Sequence, residues 1–515
     1  MQSTTPGAGH AQALASGSLW FRVFMGHSAP WYKRAILAFL VLNPLLYFGL
    51  KAAVGADTAG FAVGWLVLLE FIFTLALALK CYPLLPAGLL TMEALVLGLT
   101  SPDHMFKEAE HNFPVILLLV FVVAGVNFLK EWLAVVFTAI LFSTRSKTVL
   151  SLLFCMAGAL LSAFLDALTV TAVIIAVCKA FYDVYADWRS RVGQSDDAPL
   201  DEFRAFLRSL VMHALVGTAL GGVMTMVGEP QNLLIAKQMS SLLPPDRAEH
   251  WGFVGFVIHM AVITVPTLIV GLTTTILCEK LKLFGHGAQM PDEVRRVLQE
   301  SADAQRAART SADRFRLNVQ GACAILLVLG LAFHVAEVGI LGLFLIVLAT
   351  AFTGVSEEHR IGHAFTESLP FTALLVVFFG IVAMIADQDL FRPVIDVALA
   401  QQARGQLIAF FGSSALLSAI SDNVFVATVF INEASAAFTA NRIDADQFEK
   451  LAIAINCGTN VPSIATPNGQ AAFLFMLTSA LAAPIKLDYV RMIKMALPYT
   501  ITMTAASLTA VWLWL

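Results

Sequence analysis

Long apolar blocks separated by short polar loops make up most of the chain. A helix needs about 20 apolar residues to cross the roughly 30 Å hydrocarbon core of a membrane. On that criterion the sequence predicts about eleven crossing helices, at 35–54, 61–80, 82–99, 113–130, 211–236, 252–278, 318–334, 336–353, 371–386, 451–482 and 495–515. The predicted fold class is therefore an all-α polytopic membrane protein.

Two further apolar blocks, 148–180 and 407–438, are predicted to enter the membrane and return to the same side. Asp166 interrupts the first block and Ser421-Asp422-Asn423 the second. A block of about 33 residues is too short for two spans and a turn, and Lys and Arg flank the first block on both sides. We therefore predict two re-entrant hairpins with these polar residues at their tips.

The two halves of the chain resemble each other in sequence. Leu161–Val173 aligns with Leu417–Val429 without a gap, which places Ser162 over Ser418 and Asp166 over Asp422 at an offset of 256 residues. Downstream, Gly217 aligns with Gly458 and Thr225 with Thr466 at an offset of 241. Matched interruptions of this kind are typical of transporters built from inverted repeats, whose binding site lies where the broken helices meet.

The predicted organisation follows from this repeat. An N-terminal interfacial segment with an extra helix occupies 1–60, and a basic loop occupies 279–317. Repeat 1 spans 61–278 and contains the hairpin 148–180 and a broken helix at 211–236; repeat 2 spans 318–515 and contains the hairpin 407–438 and a broken helix at 451–482. Each repeat has an odd number of crossings, so the second is predicted to be inverted relative to the first.

Charge distribution predicts the orientation. The basic loop 279–317 carries eight Lys or Arg, and such loops remain on the cytoplasmic side. The segment 19–34 mixes aromatic and basic residues, as expected at the headgroup level. No signal peptide is recognised before it. We therefore predict a cytoplasmic N-terminus in a multi-pass protein of the bacterial inner membrane.

Composition excludes several classes of function. The chain is 58% hydrophobic and 13% charged, against roughly 45–50% and 25% in soluble domains. A net charge of −4 gives no reason to expect a nucleic-acid partner. The six cysteines form no CxxC pair, so neither a disulfide framework nor a zinc site is indicated, and buried or lipid-facing thiols are expected.

The polar residues at the four interruptions share one chemical property: each side chain offers oxygen. The candidate ion-binding residues are Ser162, Asp166, Thr225, Glu229, Asn232, Ser418, Ser421, Asp422, Asn423, Thr459, Asn460, Thr466 and Asn468, with Thr169 and Gln231 beside them. Hard cations prefer oxygen ligands, whereas softer metals prefer imidazole and thiolate. The pattern indicates an alkali cation, with Asp166 and Asp422 as the Na⁺ ligands, and no cofactor.

An intramembrane Asp costs roughly 2.5–3.5 kcal/mol even on insertion scales, so its presence indicates function. One carboxylate can hold either H⁺ or Na⁺. If both ions compete for the same group, and the protein changes face only when that charge is neutralised, antiport follows. Asp166 and Asp422 are therefore predicted to carry the exchange.

Structural roles remain open for several candidates. Ser162 and Ser418 can serve close helix packing, and Glu229 and Asn232 can cap the half-helix after the break. Thr225 and Thr466 can donate to a freed carbonyl instead of binding an ion.

Three ionisable residues outside the repeat signature also lie within apolar blocks. Glu70 and Glu93 are expected to form hydrogen bonds between helices rather than to bind ions. His213 titrates near neutral pH in its free form, which suggests a pH sensor, but a helix end at the membrane surface is the preferred interpretation. His334 and Glu337 are expected to be solvated in a short outer turn.

Several long motifs resemble the bacterial NhaB sodium/proton antiporters. They are EFIFTLALALKCYPLLP (70–86), LSAFLDALTV (161–170), GTALGGVMTMVGEPQNL (217–233), FTESLPFTALL (365–375), SDNVFVAT (421–428) and INCGTNVPSIATPNGQAAFLF (455–475). The resemblance implies an inner-membrane antiporter of Gram-negative bacteria that expels Na⁺, and Li⁺ as well, in electrogenic exchange for H⁺. It also implies a homodimer, with an elevator-like motion of the hairpin-bearing part.

The resemblance extends to the wider ion transporter superfamily, which includes sodium-coupled dicarboxylate transporters. Those relatives carry paired Ser-Asn-Thr signatures at their hairpins, whereas this chain has Leu165-Asp166-Ala167 at the first tip. An ionisable Asp there suits proton coupling and puts a co-bound anionic substrate in doubt.

Three other functions stay open on the sequence. Na⁺-driven uptake of a carboxylate or another anion is the main alternative, although no Lys or Arg lies within the four interruptions. An intramembrane hydrolase could use Asp166 and Asp422 as an acid/base pair, but we expect no enzyme. A passive channel is the third, and saturable, proton-coupled exchange would exclude it.

Overall fold

The structure is a computed structural model that describes residues 18–194, 196–366 and 368–515. Every regular element within these ranges is helical. The chain forms two compact units: a minor unit of Met1–Ala109 with Val376–Phe391, and a major unit of Glu110–Leu375 with Arg392–Leu515. Residues 1–17 of the predicted N-terminal segment 1–60 lie outside the described residues.

The minor unit is built from apolar helices that enclose two carboxylates, of which Glu70 is buried and Glu93 is half-buried. Its helices are Leu19–Val23, Pro30–Val54, Ala56–Ala76, Leu84–Val96, most of Pro102–His111 and most of Leu369–Asp387. The side-chain amide of Asn43 donates to Glu70 at 2.7 Å and to Glu93 at 2.8 Å. The prediction that these two acids form hydrogen bonds between helices is therefore confirmed.

The major unit contains both predicted hairpins and both predicted broken helices. Its longer helices are Phe113–Leu117 continuing through a π-helical turn to Val123–Asn127, then Lys130–Ser143, Lys147–Leu165, Ala167–Val192, Ala198–Gly222, Pro230–Leu242, Phe253–Leu281, Asp292–Ala308, Ser311–Ala332, Val338–Thr353, Glu358–Phe365, Arg392–Leu399, Ala403–Ser418, Asn423–Thr439, Ala445–Asn460, Ala471–Thr478 and Tyr489–Trp514.

Helices Lys147–Leu165 and Ala167–Val192 form the first hairpin. The chain reverses at Asp166, which has a positive φ of 63°. The open end of the hairpin is the end away from Asp166. There the ring of Phe142, just before the first arm, lies 6.4 Å from the ring of Phe181 on the second arm. The second arm continues past the predicted end at 180 to Val192, and Tyr185 and Arg189 on this extension are buried.

Helices Ala403–Ser418 and Asn423–Thr439 form the second hairpin. The ring of Phe410 lies 6.1 Å from that of Phe430 across the two arms. At the open end, Arg442 forms an ion pair of 2.8 Å with Asp396. The chain therefore folds back on either side of Asp422, as the sequence predicts.

The two broken helices are interrupted where the sequence places Gly and Pro. Ala198–Gly222 and Pro230–Leu242 form the first broken helix, and Ala445–Asn460 and Ala471–Thr478 form the second, with a 3₁₀ turn at Pro462–Ala465 in its break. Proline cannot donate to a preceding carbonyl, and glycine tolerates close backbone contact. Backbone carbonyls are left outside regular hydrogen bonding at both breaks.

Each hairpin packs on its broken helix through a glycine. A Cβ on Gly217 would lie 2.0 Å from the carbonyl oxygen of Cys155, and a Cβ on Gly458 would lie 2.7 Å from that of Phe411. Cys155 and Phe411 are 256 residues apart and the two glycines 241 apart, the offsets found in the sequence. The two halves of the chain therefore use the same contact.

Replacing Gly217 by Ala is expected to destabilise the protein by about 1–3 kcal/mol, because the methyl group meets backbone rather than a side chain that can move. Thermal unfolding of purified protein in detergent measures the effect. Gly412→Ala is the matched control, since a Cβ there would meet nothing within 4 Å. Equal melting temperatures for the two variants would contradict the close packing.

Nine helices within the described ranges are long and apolar enough to cross a membrane, or ten if the bent pair Pro102–His111 and Phe113–Asn127 counts as one span. Both arms of the first hairpin are among the nine. The figure of about eleven crossings and the re-entrant course of the hairpins stay predictions. All six cysteines are buried and free, as expected.

Candidate ion-binding site

The two hairpin tips hold their acids in the same way. Asp166 accepts hydrogen bonds from the backbone N–H and the hydroxyl of Thr169, at 3.2 and 3.4 Å. Asp422 accepts from the backbone N–H groups of Val424 and Phe425, at 2.9 and 3.3 Å. Each acid thus caps the second arm of its hairpin, where the helix dipole favours negative charge.

A threonine fastens each tip to the neighbouring break. Thr225 donates its hydroxyl to the carbonyl of Ala163 and accepts from the backbone N–H of Gly228 at 3.2 Å. Thr466 donates to the carbonyl of Ala419 at 2.6 Å, and the N–H of Gly469 donates to it at 3.3 Å.

These two sets of contacts are again related by the offsets 256 and 241. The threonine hydrogens are committed to backbone carbonyls, so the alternative structural role foreseen for Thr225 and Thr466 is confirmed. An ion could approach these hydroxyls only through their remaining oxygen lone pairs.

Side-chain amides join the two broken helices. Gln231 donates to the carbonyl oxygen of the Asn460 side chain at 2.7 Å, and the Asn460 amide donates to Asn232 at 3.2 Å. The Asn456 amide reaches the backbone carbonyl of Val223 at 3.3 Å. Asn232 in turn donates to two carbonyls of its own break, at 2.7 and 2.6 Å. The network fixes the two breaks against each other.

Glu229 is buried within electrostatic range of both tips. Its carboxylate interacts electrostatically with both Asp166 and Asp422, and it is only 5% exposed. It occupies the N-cap position of Pro230–Leu242, but its side chain forms no capping bond. The hydrogen bond that it accepts from Gln470 is long, at 3.5 Å. Glu229 is therefore the least compensated of the three acids.

None of the ion pairs found in the described part of the chain includes Asp166, Glu229 or Asp422. Like charges at a site of low dielectric repel each other strongly. The arrangement therefore favours a bound cation or proton.

Several polar atoms of the two hairpins and the two broken helices are buried without a hydrogen-bond partner within the described ranges. They are Ser162 Oγ, Gln231 Oε1, Gln470 Oε1 and the side-chain nitrogen of Asn423. Buried polar atoms normally find partners, and three of these four are oxygens that a cation could use. Gln470 was not among the residues predicted from the sequence, although at the offset of 241 residues it aligns with Glu229.

Other predicted residues use their donors for local structure. Ser418 donates to the carbonyl of Thr459 at 2.5 Å, and Ser421 donates to Leu417 at 2.8 Å. Thr459 donates to carbonyls of its own helix. The Asn468 amide donates to the hydroxyl of Tyr489 at 3.2 Å. Their part in ion binding stays a prediction.

A cavity of about 470 Å³ opens beside the first broken helix. Met226 in the break and Leu233 in the following half-helix form part of its wall, and Trp251 forms another part. His334 and Glu337 also line it, and both are exposed, as predicted. Exposed polar residues and the break of the first broken helix therefore line the same cavity.

The interpretation of His213 as a surface-level helix end was wrong. The helix that carries it begins at Ala198, well before the predicted start at 211, and His213 is fully buried. It contacts Glu279 and Tyr499 at 2.6 Å each. One feature of the sequence could have indicated that His213 has charged partners: His213, Glu279 and Lys147 each lie at the end of an apolar block.

Comparison with known proteins agrees with the geometry. Residues 13–515 match the family model "Bacterial Na+/H+ antiporter B (NhaB)". A Na⁺/H⁺ antiporter NhaB of Marinobacter nauticus is 55% identical over 94% of this chain and 96% of its own length. The Citrobacter koseri NhaB antiporter is 54% identical over 97% of this chain and 96% of its own length.

A solved structure also supports the fold. The YdaH transporter of Alcanivorax borkumensis superimposes with a TM-score of 0.50 at 15% identity, over 80% of this chain and 87% of that chain. At that identity the likeness bears on the fold alone. The family match and the close relatives decide the identity: the chain belongs to the NhaB family of bacterial Na⁺/H⁺ antiporters, multi-pass inner-membrane proteins that exchange Na⁺ for H⁺.

Proposed function

We propose that Na⁺ and H⁺ compete for a single site formed by the carboxylates of Asp166, Glu229 and Asp422. The observation that carries the proposal is the position of Glu229, which interacts electrostatically with both tip acids and receives only one long hydrogen bond. The tip acids are held by helix N-termini, so Glu229 has the greatest need of an exchangeable positive charge.

Oxygen ligands for the cation are close to these acids. Gln231 and Gln470 each have a buried oxygen without a hydrogen-bond partner, and Ser162 has a buried hydroxyl. Carboxylate, amide and hydroxyl oxygens suit Na⁺ and Li⁺. We propose that Li⁺ is exchanged at the same site and that more than one proton enters for each cation leaving, which makes the exchange electrogenic.

Alternating access is proposed to proceed when the acids are neutralised by either ion. A net charge in low dielectric opposes passage of the site across the membrane, and a bound cation or proton removes that cost. The cavity beside Met226 is the proposed route from the outer face. A cytoplasmic N-terminus, a homodimer and two oppositely inserted hairpins complete the proposal.

Sodium-driven uptake of an organic anion is not favoured, because three acids repel an anion and no ion pair in the described residues supplies a cation to them. We likewise propose no catalytic role for the chain. Proteoliposomes that contain the purified protein and no organic substrate provide the test. An imposed Na⁺ gradient is expected to change the internal pH; a change that occurs only after a carboxylate is added would instead establish symport.

A further inference from the structure

A buried polar cluster lies away from the three acids, at the open end of the first hairpin. Its members come from four helices and one loop of the major unit: Lys147, Ser151, Ser209, His213, Thr275, Glu279, His286 and Tyr499. Lys147 and Glu279 form an ion pair of 3.2 Å in which both side chains are at most 3% exposed. Buried ion pairs are costly and contribute little net stability, so their presence invites a functional explanation.

The cluster does not suit a metal ion. Ligand atoms of His213, Glu279 and His286 lie within 4.8 Å of one another. The hydroxyl of Ser209 occupies the space between them, at 2.5 Å from Glu279 and about equally close to both imidazoles, at 3.2 and 3.1 Å. The ammonium of Lys147 touches the same carboxylate oxygen. A divalent cation at this point would face both the hydroxyl and a positive charge.

The hydrogen bonds around His213 have two consistent arrangements. Thr275 donates to the carbonyl of Gly271, so it accepts the hydroxyl hydrogen of Tyr499 at 3.0 Å. Tyr499 then accepts from His213 Nδ1 at 2.6 Å, while Nε2 donates to Glu279 at 2.6 Å. Both ring nitrogens donate in this arrangement, so His213 is an imidazolium.

The second arrangement needs one proton fewer. If His213 is neutral and donates to Glu279, the hydroxyl of Tyr499 must turn and donate to Nδ1, which withdraws it from Thr275. The two arrangements differ by one proton and one hydroxyl rotation. His213 can therefore gain or lose a proton without breaking up the cluster.

His213 differs from the other titratable groups of the cluster because its ring is hydrogen-bonded to both a carboxylate and a hydroxyl. Lys147, Glu279, His286 and Tyr499 face it directly, and Cys155, Cys178 and Cys278 lie behind them. Burial, with the neighbouring His213, lowers the pKa of His286 to about 3, and His286 lies 3.2 Å from the carbonyl of Met495. Its Nε2 donates to that carbonyl, and within the described residues no carboxylate is hydrogen-bonded to its ring, whereas the ring of His213 is hydrogen-bonded to Glu279.

We propose that His213 is a second proton-binding site, separate from the three acids, whose protonation clamps the first broken helix to two neighbouring helices and slows exchange. The imidazolium is paired with Glu279 on Phe253–Leu281 and donates to Tyr499 on Tyr489–Trp514. Lys147 ties the first hairpin arm to the same carboxylate. At low pH the clamp thus joins the first broken helix and the open end of the first hairpin to Phe253–Leu281 and Tyr489–Trp514. This inference rests on Na⁺/H⁺ exchange by the family, and not on which carboxylate binds the ion.

The test separates this effect from competition at the ion site. Protons that compete with Na⁺ raise the KM for Na⁺, and saturating Na⁺ overcomes them, whereas a clamp lowers the maximal rate. Maximal rates of Na⁺/H⁺ exchange are measured in proteoliposomes across the acid range for wild type, His213→Gln and Tyr499→Phe. His259→Gln is the matched control, since this imidazole stacks on Trp251 at the other end of Phe253–Leu281.

The wild-type maximal rate is expected to fall by up to about tenfold per pH unit on the acid side, as one proton binds. His213→Gln should lose this fall while its KM for Na⁺ at alkaline pH stays unchanged. Tyr499→Phe should move the fall to lower pH, because the imidazolium loses an acceptor. His259→Gln should follow the wild type. A wild-type profile in His213→Gln, or in Tyr499→Phe if the first variant does not accumulate, overturns the proposal.

Discussion

Replacing Glu229 by Gln is expected to lower the rate of Na⁺/H⁺ exchange by about 10²–10⁴-fold, the range typical of losing a proton-transferring group. The amide keeps the size of the side chain and removes the charge that the site must neutralise. Glu229 is buried and forms no ion pair in the described residues, so its carboxylate has no evident structural partner that the change would orphan except Gln470.

Exchange by the Glu229→Gln variant is measured as Na⁺-dependent proton movement in everted membrane vesicles. Glu300→Gln, at an exposed position on Asp292–Ala308, is the control for the chemical change itself. The variant is expected to unfold at the same temperature as the wild type in detergent. Exchange at the wild-type rate would show that Glu229 does not bind the exchanged ions.

Replacing Asp166 or Asp422 by Asn is expected to abolish exchange or reduce it by about 10²-fold or more, a loss of the same class. The two acids occupy matching positions at the two tips and each accepts two hydrogen bonds from the start of a helix. The neutral amide removes one of three charges that together attract the cation. The side-chain oxygen of Asn can accept the same backbone hydrogen bonds, and Asn caps helices about as well as Asp, so we expect little loss of stability.

Thermal unfolding of the two Asp variants checks that the loss of transport does not come from a loss of stability. Asp183→Asn is the control, since Asp183 lies on the second arm of the first hairpin and pairs with Lys179 at a half-exposed position. Undiminished exchange in both tip variants would remove the competition mechanism. Loss in only one of them would leave an asymmetric site, in which Glu229 works with one tip.

The hairpins, the breaks and the repeat could be predicted because each interrupts an apolar block. Asp166 and Asp422 are conspicuous where the membrane disfavours charge. The offsets of 256 and 241 residues in the sequence reappear as equivalent contacts, such as Thr225 with Ala163 and Thr466 with Ala419. Local chemistry and repetition were sufficient for these features.

The roles of Glu229, Gln470 and His213 required the three-dimensional arrangement. Glu229 is central only because two hairpins and a second broken helix converge on it, and sequence distance does not reveal that convergence. The Arg and Asp residues between 198 and 210 hid the first turns of a helix that is buried in protein rather than in lipid. Hydropathy therefore placed the helix start too late and put His213 at the surface.

Proton release on Na⁺ binding is the most direct measurement of the central claim. Purified protein in a weakly buffered detergent solution, near the pH at which the site is half protonated, receives Na⁺ while a pH indicator is followed, with choline as the ionic-strength control. Competition for the same acids predicts that Na⁺ releases protons from the wild type, and that Glu229→Gln releases few or none. Saturable Na⁺ binding to the wild type without proton release would contradict it.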